Sequence, residues 1–201
     1  MGTVILTSVQ AAAFRAEKEE LQQRLDREIQ EGIAEEIFRL HVVANSDSQE
    51  DQELKMAVKK TVVDCLAQGL GEKAGLEETR NWVLENLSDI ENAAAETIKS
   101  QGETYPVAAS VETAYFPDKT YGACTFPAGE YEALYIRIGK AEGKNWWCVL
   151  YPSLCFIDDT WGIVSQEKKE ELKEVLTEEE FQAILGNTEE KKKVRVGFKW
   201  F

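Results

Sequence analysis

Residues 132–151, EALYIRIGKAEGKNWWCVLY, hold two aromatic and β-branched runs joined by a polar, glycine-flanked loop. This pattern reads as a β-hairpin, with strands over 132–138 and 146–151. The loop also has the outline of a phosphate-binding loop, but its spacing excludes one. A P-loop needs four residues between its glycines, a hydroxyl after its lysine and a helix to follow. Here Gly139 and Gly143 enclose only Lys140, Ala141 and Glu142, Asn145 stands where the hydroxyl belongs, and a strand-like run follows. Adjacent strand residues point to opposite faces, so one of Trp146 and Trp147 is expected in the core and the other at the surface, where an exposed aromatic beside a rigid loop suits partner contact.

Working outward, YPVAASVETAYF (105–116) is a third strand-like run, and the three together predict an antiparallel meander. Upstream, Phe38, Leu40 and Val42 alternate with Arg39, His41 and Val43, which predicts a half-buried strand ending at Ala44. Leu21, Leu25, Ile29, Ile33 and Ile37 recur every fourth residue and predict an amphipathic N-terminal helix over 14–35. Ser48 followed by Asp51 matches a capping box, opening a helix with a stripe of Leu54, Val58, Thr61, Val62 and Cys65 that ends at Gly69. A further helix is expected over 77–100, with Val83, Leu87, Ile90, Ala94 and Ile98 inward and Gly102 as its stop. Ser165 and Thr177, the latter with Glu180, cap two short helices, and KKVRVGFKWF (192–201) alternates as a strand with one buried face. The fold class is therefore α+β: a single two-layer domain over 36–201, with helices packed on one face of a mostly antiparallel sheet.

The chain has 201 residues, 43% of them hydrophobic and 30% charged, which suits one globular domain with a substantial core. Lys and Arg number 23 against 37 Asp and Glu, a formal charge of −14 that repels phosphate backbones and argues against nucleic-acid binding. Residues 1–13, MGTVILTSVQAAA, form an uncharged stretch ending in small residues. It reads either as the remnant of an export signal or membrane anchor, with peripheral membrane association through this segment, or as a frayed tail.

Several residues invite chemical readings. His41 is the only histidine, so a multi-histidine zinc site is excluded and any Ser-His or Cys-His catalysis must pass through that ring. His41 with Asp47 or Asp51 has the ingredients of a hydrolase, yet no nucleophile elbow accompanies it. Asn45, Asp47, Glu50 and Asp51 are hard oxygen ligands at a strand-to-helix junction, but the stretch lacks the turn glycine and distant bidentate glutamate of an EF-hand, and helix capping accounts for it better. Asp158 and Asp159 are adjacent on an extended chain and diverge, which makes them poor acid and base partners. The cysteines 65, 124, 148 and 155 form no C-x-x-C pair. Pro152 between Cys148 and Cys155 lets the chain turn back, so the spacing fits either a disulfide or two unpaired thiols, while Cys65 on a helix stripe is expected to stay free.

RLHVVANSDSQEDQELK (39–55), the FP at 116 and YGACTFPAGEYEALYIRIGKAEGKNWWCVLYPSLCF (121–156) resemble, in order, the stage II sporulation protein R family of endospore-forming bacteria. Ser153 stands where that pattern has a second proline. The resemblance implies a signal rather than an enzyme, with no catalytic residues, cofactor or metal. The family's role is that of a protein made in the forespore and exported to the space between forespore and mother cell. There it triggers a membrane-embedded aspartyl protease, of the stage II sporulation protein GA type, which cleaves the sigma-E precursor. The expected partner surface combines the junction residues His41, Asn45, Asp47 and Asp51 with Gly139, Gly143, Asn145, Trp146 and Trp147. Two other classes remain: an extracytoplasmic hydrolase using His41 and its neighbouring acids, and a metal-stabilised binding module.

Overall fold

The computed structural model describes residues 2–71, 74–152, 154 and 164–193. In chain order the elements are α1 (Gly2–Glu36), β1 (Phe38–Val43), α2 (Gln49–Gly69), α3 (Leu76–Glu85), α4 (Leu87–Ser100), β2 (Val107–Phe116), β3 (Lys119–Tyr121), β4 (Cys124–Phe126), β5 (Gly129–Ile138), β6 (Asn145–Tyr151), α5 (Gln166–Val175) and α6 (Glu178–Lys193). The α+β expectation holds.

The hairpin and the meander do not form as expected. The four-stranded sheet has the order β2-β5-β1-β6, so β1 lies between the two strands that the sequence joins most closely. β1 runs parallel to β5, with Leu40 opposite Leu134 and Val42 opposite Ile136, and antiparallel to β6, with Leu40 opposite Cys148 and Val43 opposite Asn145. β2 pairs antiparallel with β5 along its whole length. Two of the three pairings are thus antiparallel, in a mixed sheet. The reversal between β5 and β6 is real, but the gap between them admits another strand. The physical reason is the composition of β1: all six of its residues are buried, and a strand with no solvent side is most stable in a central position with both edges paired.

Both faces of the sheet are covered, so helices are not confined to one. On the first face Phe38, Leu40 and Val42 meet Leu134, Ile136, Ile138, Cys148 and Leu150, under the stripes of α2 (Leu54, Val58, Val62) and α4 (Ile90, Ala94, Ile98) and Val83 of α3. On the second face Phe116, Tyr131, Ala133 and Val149 pack with Ile33 and Ile37 from the end of α1, Phe126 of β4, and Leu172, Phe181 and Ile184 of α5 and α6. The N-terminal stripe engages this core only at its last turns. Leu21 and Leu25 remain 64% and 48% exposed. The helix expected over 77–100 is broken at Asn86, whose Nδ2 donates to the Trp82 carbonyl at 2.7 Å while its φ of −111° leaves the helical range. The β3-β4 hairpin was not legible, because three-residue strands carry no period; Gly122, with φ of 56°, makes its turn.

The caps follow the sequence in part. Thr177 and Glu180 form the reciprocal box, with Thr177 N–H donating to Glu180 Oε2 at 2.8 Å and Glu180 N–H to Thr177 Oγ1 at 3.3 Å. Ser165 caps α5. Ser48 accepts from Asp51 N–H, but the Asp51 carboxylate turns away to other donors. The expected C-terminal strand lies outside the described residues except for 192 and 193, which end α6.

Truncation tests this packing. Leu40→Ala, at a fully buried site between two strands, should lower stability by about 2–5 kcal/mol. Leu21→Ala should change it by less than about 0.5 kcal/mol. Urea denaturation of both variants measures the difference, and a large loss at Leu21 would contradict the placement of α1.

Candidate partner-binding site

Because β1 separates β5 from β6, the chain leaving β5 must cross the end of β1, a span of about 10 Å between the flanking strands. The crossing loop, 139–144, therefore lies against the β1–α2 junction. The two polar stretches singled out in the sequence become one structure. Gly143 N–H donates to the Ala44 carbonyl at 2.9 Å and Glu142 N–H to the Asn45 carbonyl at 3.3 Å. Lys140 N–H donates to Asn45 Oδ1 at 3.0 Å, and Lys144 N–H to Asp47 Oδ1 at 2.7 Å. A Cβ at Gly143 would sit 2.2 Å from the Ser46 carbonyl oxygen, a backbone atom with little room to yield, and Gly139 adopts φ of 59°. Close backbone contact dictates Gly143, and the left-handed backbone conformation dictates Gly139.

Asp51 anchors the junction from below. Its Oδ2 accepts from Ser46 Oγ at 2.5 Å and Asn45 Nδ2 at 2.8 Å, and these bonds, Ser46's first, hold its pKa below the usual carboxylate value. Buried Lys55 reaches across, donating to Gln52 Oε1 at 2.7 Å and the Lys144 carbonyl at 3.0 Å; burial lowers its pKa. Asn45, Asp47 and Asp51 thus satisfy backbone and side-chain donors. What the platform offers to solvent is its rim: Asp47, Lys140, Glu142, Lys144 and Asn145 are exposed.

Beneath the rim the two tryptophans part as strand geometry requires, yet neither is fully buried nor fully exposed. Trp146 packs on the first core, with Lys59 Nζ 4.5 Å from its ring centroid. Trp147 lies on the second face, stacked on His41 at 3.7 Å between centroids and 17° between planes, with Phe116 at 4.7 Å. His41 is 2% exposed rather than at the surface; its Nε2 meets Asn145 Oδ1 at 2.8 Å and its Nδ1 has no hydrogen-bond partner among the described residues. Neither ring nitrogen meets Asp47 or Asp51, so the hydrolase grouping is not assembled around this ring. Burial foremost lowers the His41 pKa to about 4, with the neighbouring Arg137 and Arg39 adding to the effect, so the ring is neutral at pH 7.

Sequence reasoning missed Arg39. Fully buried on the second face, its guanidinium sits 4.2 Å from the Phe116 centroid and 4.8 Å from that of Tyr131, donates from Nη2 to Tyr121 Oη at 3.3 Å, and has no partner for Nη1 among the described residues. Burial lowers its pKa from the ordinary arginine value. The available signal was Val43, an apolar residue on the face assigned to solvent, which indicates that this face is covered too. Among the described residues no group of three or more His, Cys, Asp or Glu could hold a metal ion. Cys65 and Cys124 are free, and the expected partner of Cys148, Cys155, lies outside the described residues, as do Asp158 and Asp159.

Two measurements check this account. Asp51→Ala should orphan the Ser46 and Asn45 donors and cost about 2–3 kcal/mol of stability by urea denaturation. For His41, the unfolded ring binds a proton near pH 6.5 and the folded ring only near 4, so its contribution is complete above pH 6.5 and lost as pH falls toward 4. Allowing for partial screening of the charge, the effect is roughly 2 kcal/mol. Stability of the parent relative to His41→Gln should fall by that amount between pH 7 and pH 4; parallel pH profiles would contradict the buried neutral ring.

Comparison with known proteins places these elements. The family model described as stage II sporulation protein R matches residues 34–161, from the end of α1 through β6 and beyond. Stage II sporulation protein R of Bacillus subtilis (strain 168) is 35% identical over 162 residues, covering 80% of this chain and 72% of that protein. No solved structure matches the chain. The matched region contains the whole four-stranded sheet and both loops of the platform, and the chain belongs to the stage II sporulation protein R family.

Proposed function

We propose that this protein is an exported sporulation signal that activates a membrane-embedded aspartyl protease and so leads to processing of the sigma-E precursor, acting as a ligand rather than as an enzyme. Family membership carries the reading. The platform supports it: a preorganised pair of loops, locked by Asn45, Asp47 and Asp51, presents charged side chains at little further cost in conformational entropy. The partner surface is the rim, Asp47, Lys140, Glu142, Lys144 and Asn145, with Trp147 behind it. The locking residues act by holding the rim in shape.

Export fits the uncharged residues 1–13, and no described helix is long and apolar enough to cross a membrane. In an extracytoplasmic compartment a bridge between Cys148 and Cys155 would persist. Peptide mapping without reduction should yield the two cysteines in one linked species; recovery of both as separately alkylated peptides would exclude the bridge.

Co-expression with the receptor protease and a reporter precursor tests the function itself. Replacing Lys140, Glu142 and Lys144 together by alanine should leave the urea midpoint unchanged but reduce precursor cleavage at least about tenfold, the effect of losing on the order of 1.4 kcal/mol of binding. Alanine at the exposed Glu167 and Glu170 of α5 should leave cleavage intact. Full cleavage with the rim variant would place the partner surface elsewhere. No cleavage with the unaltered protein would refute protease activation.

A further inference from the structure

Strand β2 forms one edge of the sheet, and its outward side is fixed by two bonds. The Pro106 carbonyl accepts from Gly139 N–H at 2.8 Å, so even-numbered residues face β5. Ala109 N–H instead donates to Glu91 Oε2 of α4 at 3.0 Å, so odd-numbered residues face away from the sheet. Glu91 closes the edge at Ala109, and Pro117, which has no N–H, closes it at the other end. Between these stops the outward N–H and C=O groups of Val111, Thr113 and Tyr115 receive no hydrogen bond from the described residues. Edges of this kind template pairing with another strand unless charge, proline or a cover blocks them. Among the described residues the blocks lie only at the two ends.

We propose that this window pairs with the same window of a second copy, β2 against β2 about a two-fold axis at Thr113, joining two sheets into one. The pattern of free groups selects this register. A two-fold antiparallel ladder centred on Thr113 sets Thr113 opposite Thr113 and Val111 opposite Tyr115, each pair exchanging both backbone bonds through groups to which no described residue is bonded. Centring on Val111 would require the Ala109 N–H that Glu91 already holds. Centring on Tyr115 would require the N–H that Pro117 lacks. The side chains agree: Thr–Thr and aromatic–β-branched pairs are favourable cross-strand neighbours, and Glu112 falls opposite Ala114 rather than another acid. Tyr115 is 64% exposed in the single chain, and Val111 of the second copy would cover part of it. The formal charge of −14 on each chain opposes association, so screening by salt should strengthen the pairing.

Sedimentation equilibrium of the full chain tests this over several decades of concentration, between about 0.05 M and about 0.5 M salt. The expected result is a monomer–dimer equilibrium that shifts to dimer as salt rises. Thr113→Pro removes the two central N–H donors without touching the chain's own sheet, because that N–H faces outward. Thr113→Lys sets like charges opposite each other on the axis, at an exposed position that tolerates lysine. Each should weaken dimerisation at least about tenfold. Should the proline variant fail to fold, the lysine variant decides. A chain that stays monomeric throughout overturns the proposal, including the case in which the edge receives an extended segment of a different protein. A larger assembly, or a dimer that folded Thr113→Lys leaves unchanged, overturns it equally. None of these outcomes bears on protease activation, which is read by cleavage of the reporter.

Discussion

The insertion of β1 between β5 and β6 is the constraint on which the rest of the molecule depends. Once a buried strand occupies that slot, the connection from β5 to β6 has to pass over its end, and loop 139–144 is forced against residues 44–47. The short-range consequences are chemical. Backbone N–H groups of the crossing loop need acceptors, which Asn45 and Asp47 supply, and the closest approach of the two segments leaves no room for a side chain at Gly143. Polar residues that look from the sequence like a ligand set are largely the joinery of a topological crossing.

What the sequence disclosed follows from how local each signal is. The stripes of α2 and α4, the caps at Ser48, Ser165 and Thr177, and the extents of β2, β5 and β6 rest on neighbours within a few residues, and they appear in the structure. Strand order rests on long-range pairing, which alternation does not encode; alternation alone assigns one face of Phe38–Val43 to solvent, whereas both are covered. The expectation that the two loops form a joint surface rests on their polar composition, which a core does not require, whereas their hydrogen bonds follow from the crossing. Arg39 and Lys55 were invisible as buried groups because their long side chains look alike in a sequence whether they end in water or among aromatic rings.

Charge is distributed unevenly between the surface and the interior. The acidic surplus lies on solvated helices, while the buried ionisable side chains include Arg39 and Lys55 beside Asp51. No carboxylate is bonded to Arg39 among the described residues; aromatic faces and the Tyr121 hydroxyl take that part. The contacts of this buried guanidinium join several elements at once. Here those elements are β1, β2, β5 and the β3-β4 hairpin, which together roof the second face.

The sheet order also has a consequence for assembly in time. Arg39 pairs with Ala133 on one side and Val149 on the other, so the first strand made has to wait for two of the last. Such non-local topology raises the loop-closure entropy that must be met before native contacts form, and it slows folding. Until β5 and β6 emerge, β1 has neither edge satisfied, and an N-terminal fragment cannot close the central core. Under the export proposed above, this delay would be an advantage: the sheet would not lock prematurely on the side of synthesis, and the polypeptide would stay threadable until its later strands had followed.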